Sequence, residues 1–480
     1  MTRTLQRSTA TIFAGVALFA TACGQTSPQT SESVPQAVEH AAGARVGAHG
    51  TTVAATGTDW FNETSGGAGA SVAAAYAQHA VPAGAPIIVA VIDSGVDINH
   101  EDLQGHIWTN TAEIPGDGID NDHNGYIDDV HGWNFLVDKN GADIGGETLE
   151  LTREFARYYK PYLASRNNSG PALSSTDYNR LVQLYNEFVP KYRAAPAGSD
   201  EAKYHYNWQL EQRGDDLTNF ASPGYGNDSL IGPDARHGTH VAGIIAAVRG
   251  NGKGIDGIAS NVKIMVLRAV PNGDEMDKDV AHAVRYAADN GARVVNMSFG
   301  KSLSRFPAQV LDAMDYAAGK GVLFVHAAGN DNANTDTAAN FPNRKVATAR
   351  LVAQWLEIGA STDAVGLELP AKFSNFGATA VDVFAPGFEI RSSIPGNAYE
   401  SLSGTSMASP VVAGIAALAL SHSPTLTAAQ VKTLIMDAAN RYGTTRVYRP
   451  GTRTRVNFST LSRTGAVVDA ARTVARLYAP

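Results

Sequence analysis

The chain has 480 residues, a formal net charge of −8 and an ordinary share of apolar residues, 44%. That length allows a large buried core, and the mild charge gives no electrostatic reason to expect nucleic acid as a partner. No apolar run is long enough to cross a membrane, so we expect no transmembrane helix. We expect the protein to be a monomer.

The N-terminus has the pattern of an export signal. Arg3 and Arg7 supply the positive start, residues 11–22 form a short apolar stretch, and Ala20-Thr21-Ala22 is a small-residue cleavage site. Cys23, the only cysteine in the chain, follows directly and resembles the lipidated cysteine of bacterial lipoprotein signals. Two outcomes stay open: a cell-envelope lipoprotein anchored at Cys23, or ordinary signal cleavage and a secreted protein. We therefore predict a signal peptide over residues 1–22.

Residues 23–58 are rich in Ser, Thr, Gln, Ala and Gly, a composition that buries too little surface to fold and predicts a flexible tether. Residues 59–480 read as one folded domain in which strand-like and helix-like stretches alternate. The predicted strands are residues 87–92, 262–267, 294–297 and 322–328, and the predicted helices include 277–289 and 308–318. Short strands that are apolar on both faces indicate an α/β fold, with a mainly parallel sheet between helical layers.

Residues 136–230 interrupt this alternation. The segments 147–166 and 177–193 carry apolar residues at helical spacing with many charges between them. This predicts a largely helical insertion, and we expect it to shape or cover a cleft.

Three polar residues stand where an open α/β sheet places its functional groups, at strand ends and helix starts. Asp93 ends the first apolar run, His237 opens HGTHVAGIIAA, and Ser406 opens GTSMASPVVAGIAALAL. A serine hydroxyl needs a base when it attacks, a histidine can serve as that base near neutral pH, and a carboxylate can orient the histidine. Each signal alone is weak, and the combination favours nucleophilic catalysis.

The motifs that contain these residues resemble those of the subtilisin-like serine proteases. DSG at 93–95, HGTHVAG at 237–243 and GTSMASPVVAG at 404–414 match the three catalytic blocks of that family in its order. HAAGN at 326–330 matches the block that supplies the oxyanion-hole side chain. NMSFG, FSNFG and FAPG add further agreement, and the resemblance covers about residues 85–135 and 231–440.

The resemblance implies an exported serine endopeptidase that acts on polypeptides and needs no cofactor for catalysis. Ser406 would be the nucleophile, His237 the general acid and base, and Asp93 its orienting carboxylate. Asn330 and the backbone N–H of Ser406 would stabilise the oxyanion. Residues implied to line the cleft and its first specificity pocket are Ser298, Phe299, Gly300, Ala327, Ala328 and Gly329.

Three further residues near these motifs have less specific signals. His240 lies one helical turn after His237 and is the competing histidine, although the motif places the base at His237. For Asp97 and Asp234 we expect structural or capping roles.

The sequence DGIDNDHNGYIDD at 117–129 repeats the spacing of oxygen ligands in a calcium loop. Asp120, Asp122 and Asn124 would be ligands, with Asp128 as a later donor. His131 stands where the helix-loop-helix version of this motif has its bidentate glutamate. A structural calcium ion and a polar turn without metal therefore both stay open.

The alternative to an enzyme is a surface protein that retains the fold and binds without catalysis. Loss of activity in such a protein usually removes a triad residue, and Asp93, His237 and Ser406 are all present here.

Overall fold

The computed structural model describes residues 59–63, 68–211, 213–214, 216–221, 225–344 and 352–479. The predicted signal peptide, the tether and Cys23 lie outside these residues. The described strands, in chain order, are β1 (Ile87–Asp93), β2 (Gly132–Asn134), β3 (Val262–Arg268), β4 (Val294–Met297), β5 (Leu323–Ala327), β6 (Trp355–Ser361), β7 (Val383–Pro386), β8 (Ile390–Ile394), β9 (Ala398–Leu402), β10 (Asn440–Arg441), β11 (Arg446–Tyr448), β12 (Arg455–Asn457) and β13 (Ala466–Val467).

The described helices are α1 (Val72–Gln78), α2 (Glu150–Arg166), α3 (Ser175–Ala194), α4 (Arg236–Ala246), α5 (Asp277–Asp289), α6 (Pro307–Gly319), α7 (Thr405–His422), α8 (Ala428–Ala438) and α9 (Ala470–Ala475). The four strands and two helices predicted above agree with these bounds to within one residue at either end.

A nine-stranded sheet in the order β10-β13-β7-β6-β5-β4-β1-β3-β2 forms the centre of the described fold. Its strands pair in parallel, apart from the antiparallel pair of β10 and β13 at one edge. Along β1, Val89 and Val91 enter one apolar core, while Ala90 and Ile92 enter the other. This alternation follows from the two-residue period of a strand. The predicted three-layer α/β fold is confirmed.

Helix α7 belongs to the first of these cores. By length and composition alone, it is the one described helix that could cross a membrane, but 94% of its apolar window is buried inside the protein. The buried position explains its composition, because a core helix between sheet and neighbouring helices is apolar on all sides.

The insertion contains two long helices, α2 and α3, whose aromatic side chains pack together. Phe155 stacks on Phe188 with ring centroids 4.3 Å apart and on Tyr159 at 4.8 Å. After the π-helical turn Glu201–His205, the described residues between 207 and 230 are turns and extended backbone. The helical part of the insertion is therefore its middle, from Glu150 to His205. The remainder is rich in Gly, Asn and Asp, which favour turns over helix.

Candidate active site

Asp93 and His237 lie in direct contact. Asp93 is the last residue of β1 and is 1% exposed, and His237 is in the first turn of α4. The Nδ1 atom of His237 lies 2.7 Å from Asp93 Oδ1, which also accepts the backbone N–H of Ser94 at 2.7 Å. Because a carboxylate only accepts hydrogen bonds, Nδ1 carries the proton, and Nε2 of the neutral ring is left as the base.

The environment of His237 sets its pKa through opposing effects. Burial alone would lower the pKa, but the charge of Asp93 and its hydrogen bond outweigh burial and raise the pKa above 6.5. The neighbouring charges of Asp234 and Arg236 act in opposite directions, the first raising the pKa and the second lowering it. The imidazolium that a general base becomes is therefore stabilised by the charge beside it.

His240 has a different environment one turn along the same helix. It is fully buried, its Nε2 lies 3.1 Å from the carbonyl oxygen of Glu400, and burial lowers its pKa to about 3. A ring that stays neutral and donates to a backbone carbonyl holds α4 against β9. The geometry supports His237 as the base, as the motif predicted.

Ser406 is the second residue of α7 and is 8% exposed. Its hydroxyl donates to the carbonyl oxygen of Ser298 at 3.0 Å, and the Ser298 hydroxyl donates to the carbonyl oxygen of Ser406 at 2.9 Å. These reciprocal bonds hold the start of α7 against the segment after β4. Rotation of the Ser406 hydroxyl from Ser298 towards His237 would form the catalytic hydrogen bond, a contact that often tightens only when substrate binds.

The side-chain amide of Asn330 is fixed through its oxygen atom. Its Oδ1 accepts the backbone N–H of Thr405 at 2.8 Å and the Thr405 hydroxyl at 3.0 Å. This leaves Nδ2 as the free donor end. A Cβ atom added to Gly404 would lie 3.5 Å from Asn330 Nδ2 and 3.6 Å from the backbone nitrogen of Ser406. The two predicted oxyanion donors therefore converge on the space beside Gly404.

A cleft of about 460 Å³ contains these donors and Ser406. Of the predicted cleft residues, it is lined by Ser298, Phe299, Gly300, Ala327 and Gly329. Ala328 is fully buried behind this wall, where its carbonyl oxygen accepts the side-chain amide of Asn375 at 2.8 Å. The structure thus brings Ser406, Asn330 and most of the predicted cleft residues to one cleft, while Asp93 and His237 pair at the start of α4, which packs against α7.

The insertion contributes a part of the cleft that the motifs did not indicate. Its residues that line the cleft are Leu149, Leu151, Lys191, Glu201, His205 and Tyr206. They come from three separate segments, and no sequence pattern links them. The place of the insertion between the Asp93 and His237 motifs led us to expect that it shapes or covers a cleft, but it did not indicate which residues would do so.

Asp97 and Asp234 have the structural roles that we expected. Asp97 accepts the backbone N–H groups of Asn99 at 3.1 Å and Gly396 at 2.9 Å. Asp234 accepts the backbone N–H of Arg236 at 3.1 Å, at the start of α4.

The acidic loop brings together two of the predicted calcium ligands and one residue that the sequence analysis missed. Carboxylate oxygens of Glu113, Asp120 and Asp122 lie within 4.8 Å of one another. Asp128 accepts the backbone N–H groups of Gly116 at 2.8 Å and Gly118 at 2.9 Å. Asn124 Oδ1 accepts the N–H of Tyr126 at 2.8 Å, so both residues hold the loop's own backbone. Three carboxylates fit the oxygen preference of calcium.

Comparison with known proteins shows the family to which the chain belongs. The model of the subtilase family matches residues 84–463. The chain is 44% identical over 188 residues to a thermophilic serine proteinase from Bacillus sp. (strain AK1), which covers 39% of this chain and 43% of that protein. It is 38% identical over 226 residues to thermitase from Thermoactinomyces vulgaris, which covers 46% of this chain and 74% of that protein. Subtilisin Savinase from Lederbergia lenta is 36% identical over 217 residues, 45% of this chain and 74% of that protein.

The fold and the arrangement of Asp93, His237 and Ser406 define a subtilisin-like α/β protein. The chain belongs to the subtilase family, as its motifs predicted. Its aligned part spans less than half the length of the first of these relatives.

Proposed function

We propose that the protein is a serine endopeptidase that hydrolyses peptide bonds in polypeptides. The observation that carries this proposal is the 2.7 Å contact of His237 with Asp93 at the start of α4, which packs against α7, the helix that places Ser406 in a cleft with Asn330. The membership in the subtilase family supports the same conclusion.

In the proposed reaction, the Ser406 oxygen attacks the carbonyl carbon of the scissile bond while its proton passes to Nε2 of His237. The resulting oxyanion accepts hydrogen bonds from Asn330 Nδ2 and the Ser406 N–H. The C–N bond then breaks, His237 returns the proton to the leaving amine, and an acyl-enzyme remains. Water, deprotonated by His237, hydrolyses this ester and regenerates Ser406. Asp93 orients the ring of His237 and stabilises the imidazolium.

Labelling with a fluorophosphonate tests this proposal directly, because such reagents phosphonylate an activated serine. The wild-type protein should incorporate one equivalent at Ser406, and the Ser406→Ala protein should incorporate none. A matched control is Ser421→Ala, which removes a hydroxyl near the other end of α7, where it bonds the carbonyl oxygen of Ala417 at 2.9 Å. A folded wild-type protein that resists the reagent and cleaves no polypeptide would instead support the alternative of a binding protein without activity.

A structural calcium ion at Glu113, Asp120 and Asp122 is a further part of the proposal. Its support is the proximity of three carboxylates and the oxygen-ligand spacing of the loop. Equilibrium dialysis against calcium should show one ion lost from the Asp120→Ala/Asp122→Ala protein. Equal calcium content in both proteins would eliminate the site.

Export, with a lipid anchor at Cys23 or secretion after ordinary cleavage, completes the proposal and is supported by the sequence alone. Mass spectrometry of the mature N-terminus from a bacterial host should find a diacylated Cys23. An unmodified N-terminus at that residue would select the secreted form.

A further inference from the structure

The C-terminal part of the chain is strongly basic. Residues 441–480 contain eight arginines and one acidic residue, Asp469, so their side chains carry a formal charge of +7 in a chain whose net charge is −8. Four of these arginines, all exposed, stand on the antiparallel hairpin formed by β11 and β12, residues 446–457, which we call the basic hairpin. The four are Arg446, Arg449, Arg453 and Arg455.

The guanidinium groups of the basic hairpin have no acidic partner in the described part of the chain. None of the four lies within 4.0 Å of a carboxylate. Arg446 donates to the carbonyl oxygen of Arg455 at 2.7 Å and to Asn457 Oδ1 at 3.3 Å, and Arg453 lies over the ring of Tyr448 at 5.8 Å. A guanidinium group has five N–H donors that match a carboxylate, so these arginines keep donors available for an anionic ligand.

The tip of the basic hairpin contacts the loop that follows Asn330. At this tip, Gly451 packs so closely on Asn332 that a Cβ atom added to the glycine would lie 2.5 Å from Asn332 Oδ1. The Gly451 N–H donates to the carbonyl oxygen of Lys372 at 2.8 Å, and the Asn332 N–H donates to the carbonyl oxygen of Phe373 at 2.8 Å. The tip is therefore held against two adjoining segments of the fold.

This contact places the basic hairpin at the edge of the cleft. Asn330 and Asp331 line the cleft, and Asn332 follows them directly. Because consecutive Cα atoms are about 3.8 Å apart, Asn332 lies on the order of 7 Å from Asn330. Arg449 and Arg453 stand two residues to either side of the glycine at the tip. A polypeptide bound at Asn330 therefore passes close to cations that have no acidic partner.

The remaining charges at this edge do not cancel those of the arginines. Asp331 and Lys372 are the charged residues on the two segments that the tip contacts, and their charges are opposite in sign. The four arginines therefore leave this edge with an excess of positive charge. Such an excess attracts acidic ligands and raises their rate of association, and salt screens the effect.

We propose that the basic hairpin is an exosite, a binding site outside the catalytic centre, for acidic segments of polypeptide substrates. This rests on the proposed function, in which the polypeptide is cleaved at Ser406. The favoured substrates are polypeptides with several Asp or Glu residues within a few positions of the scissile bond. The arginines do not touch the reacting atoms, so they bind substrate and transition state equally and lower KM rather than raise kcat. An anionic lipid surface is the competing ligand, and the contact of the hairpin with the cleft favours the substrate.

Quenched fluorescent peptides with different flanks test this exosite in the wild-type protein. All contain one bond that the protein cleaves in an unfolded polypeptide, and a flank of Glu, Gln or Lys residues stands before or after it. At low salt, kcat/KM for the better-placed Glu flank should exceed that for Gln by about tenfold or more, and Lys should be poorest. The advantage of Glu should shrink in 1 M NaCl, where the Debye length is about 3 Å. Equal kcat/KM for Glu and Gln on both sides of the bond would overturn the proposal.

Charge reversal at the hairpin tip identifies the arginines as the cause. In Arg449→Glu/Arg453→Glu, the ratio of kcat/KM for Glu over Gln flanks should fall to one or below, and the change should appear mainly in KM. Arg449→Gln/Arg453→Gln, which only removes the charges, serves should the reversed variant not fold, and it should reduce the ratio in the same direction. Retention of the full preference for Glu in both folded variants would also overturn the proposal.

A matched control reverses two arginines of the same basic region away from the cleft. Arg472 and Arg476 are exposed and lie at α9, where Tyr478 Oη is 2.9 Å from His422 Nδ1. His422 ends the 18-residue helix α7, so it lies about 27 Å from Ser406 at the other end. Arg472→Glu/Arg476→Glu changes the net charge by the same amount and should keep the preference for Glu. Equal loss of the preference in this control would overturn a role of the hairpin itself.

The peptides with Gln flanks separate this proposal from the proposed function. If the wild-type protein cleaves them and reacts with the fluorophosphonate, the catalytic assignment stands whatever the Glu flanks give. If neither reaction occurs, the proposed function itself fails. Sedimentation with phosphatidylglycerol vesicles examines the competing ligand. Equal cleavage of Glu and Gln peptides, together with sedimentation that the Arg449→Glu/Arg453→Glu change abolishes, would overturn the exosite in favour of a lipid surface.

Discussion

The catalytic end and the insertion end of the cleft are built in different ways. Asp93, His237 and Ser406 stand at a strand end and at two helix starts, and backbone groups hold much of the site. The insertion end consists of side chains from three segments, held by a buried cluster around Lys301. The catalytic end fixes the positions of the atoms that would react, while the insertion end forms a surface that a substrate would contact. We therefore expect changes at the catalytic end to lower kcat and changes at the insertion end to alter substrate preference and stability.

The largest effect is expected for Asp93→Asn. An asparagine can donate to Nδ1 and so favours the wrong tautomer of His237, and the imidazolium loses its countercharge. Therefore kcat should fall by about 10⁴-fold with little change in KM, measured on a short anilide. Asp97→Asn is the control, because Asp97 accepts only backbone N–H groups away from the base. Comparable losses in both variants would mean that the Asp93 effect is structural.

A smaller loss is expected for Asn330→Ala. Removing an oxyanion-hole donor costs about 10²–10³-fold in kcat in a member of this family, and the same range applies if Nδ2 binds the oxyanion here. The KM of short substrates should change little, because the donor acts on charge that develops in the transition state. A loss confined to KM would contradict the assignment.

At the insertion end, the largest loss of stability is expected when the buried Lys301 is replaced. Lys301→Met removes the cation that Glu150 and Asp277 share and leaves Arg153 as the partner of Glu150, so the free energy of unfolding should fall by about 3 kcal/mol in urea denaturation. Lys320→Met breaks an exposed pair with Asp289 and should change this free energy far less. At a temperature at which Lys301→Met is folded, the variant should still hydrolyse anilides of a single amino acid. Equal stability of the two lysine variants would contradict the role of Lys301 in holding the insertion against the cleft.

The smallest effects concern the pH profile of kcat/KM. The neutral form of His237 is the base, so activity falls as the pH drops through its raised pKa. Asp234→Asn removes a charge that raises this pKa and should move the acid limb to lower pH. Arg236→Gln removes a charge that lowers it and should move the limb to higher pH. Shifts in the same direction for both variants would contradict His237 as the titrating base.

Sequence motifs identified the catalytic end because each functional residue lies inside a contiguous block. HGTHVAG, for example, includes both the base and the small residues that let α4 pack closely: a Cβ on Gly238 would lie 2.1 Å from the carbonyl oxygen of Gly95. The fold followed similarly from apolar strands such as residues 87–92. Both kinds of inference depend on neighbours in the chain.

The insertion end could not be predicted in this way. Leu149 and Tyr206 lie 57 positions apart in the numbering, and their shared wall exists only after α2 and α3 have packed. Glu113 was missed for a related reason, since it precedes the acidic loop and reaches Asp120 and Asp122 through a turn. Lys301 directly follows the motif NMSFG, and nothing in the neighbouring sequence indicates that it is buried. Its burial results from contact with the insertion, which no local pattern encodes.

Cut-site profiling tests the division between the two ends most directly. The same denatured proteome is digested with wild-type protein and with Leu149→Glu, and residue frequencies are compared at each position around the cleaved bonds. Because Leu149 lines the cleft from the insertion, the account predicts an unchanged profile at the residue whose carbonyl is attacked and a changed profile at positions further from the cleaved bond. Profiles that coincide at every position, or that differ only at the cleaved bond itself, would contradict it.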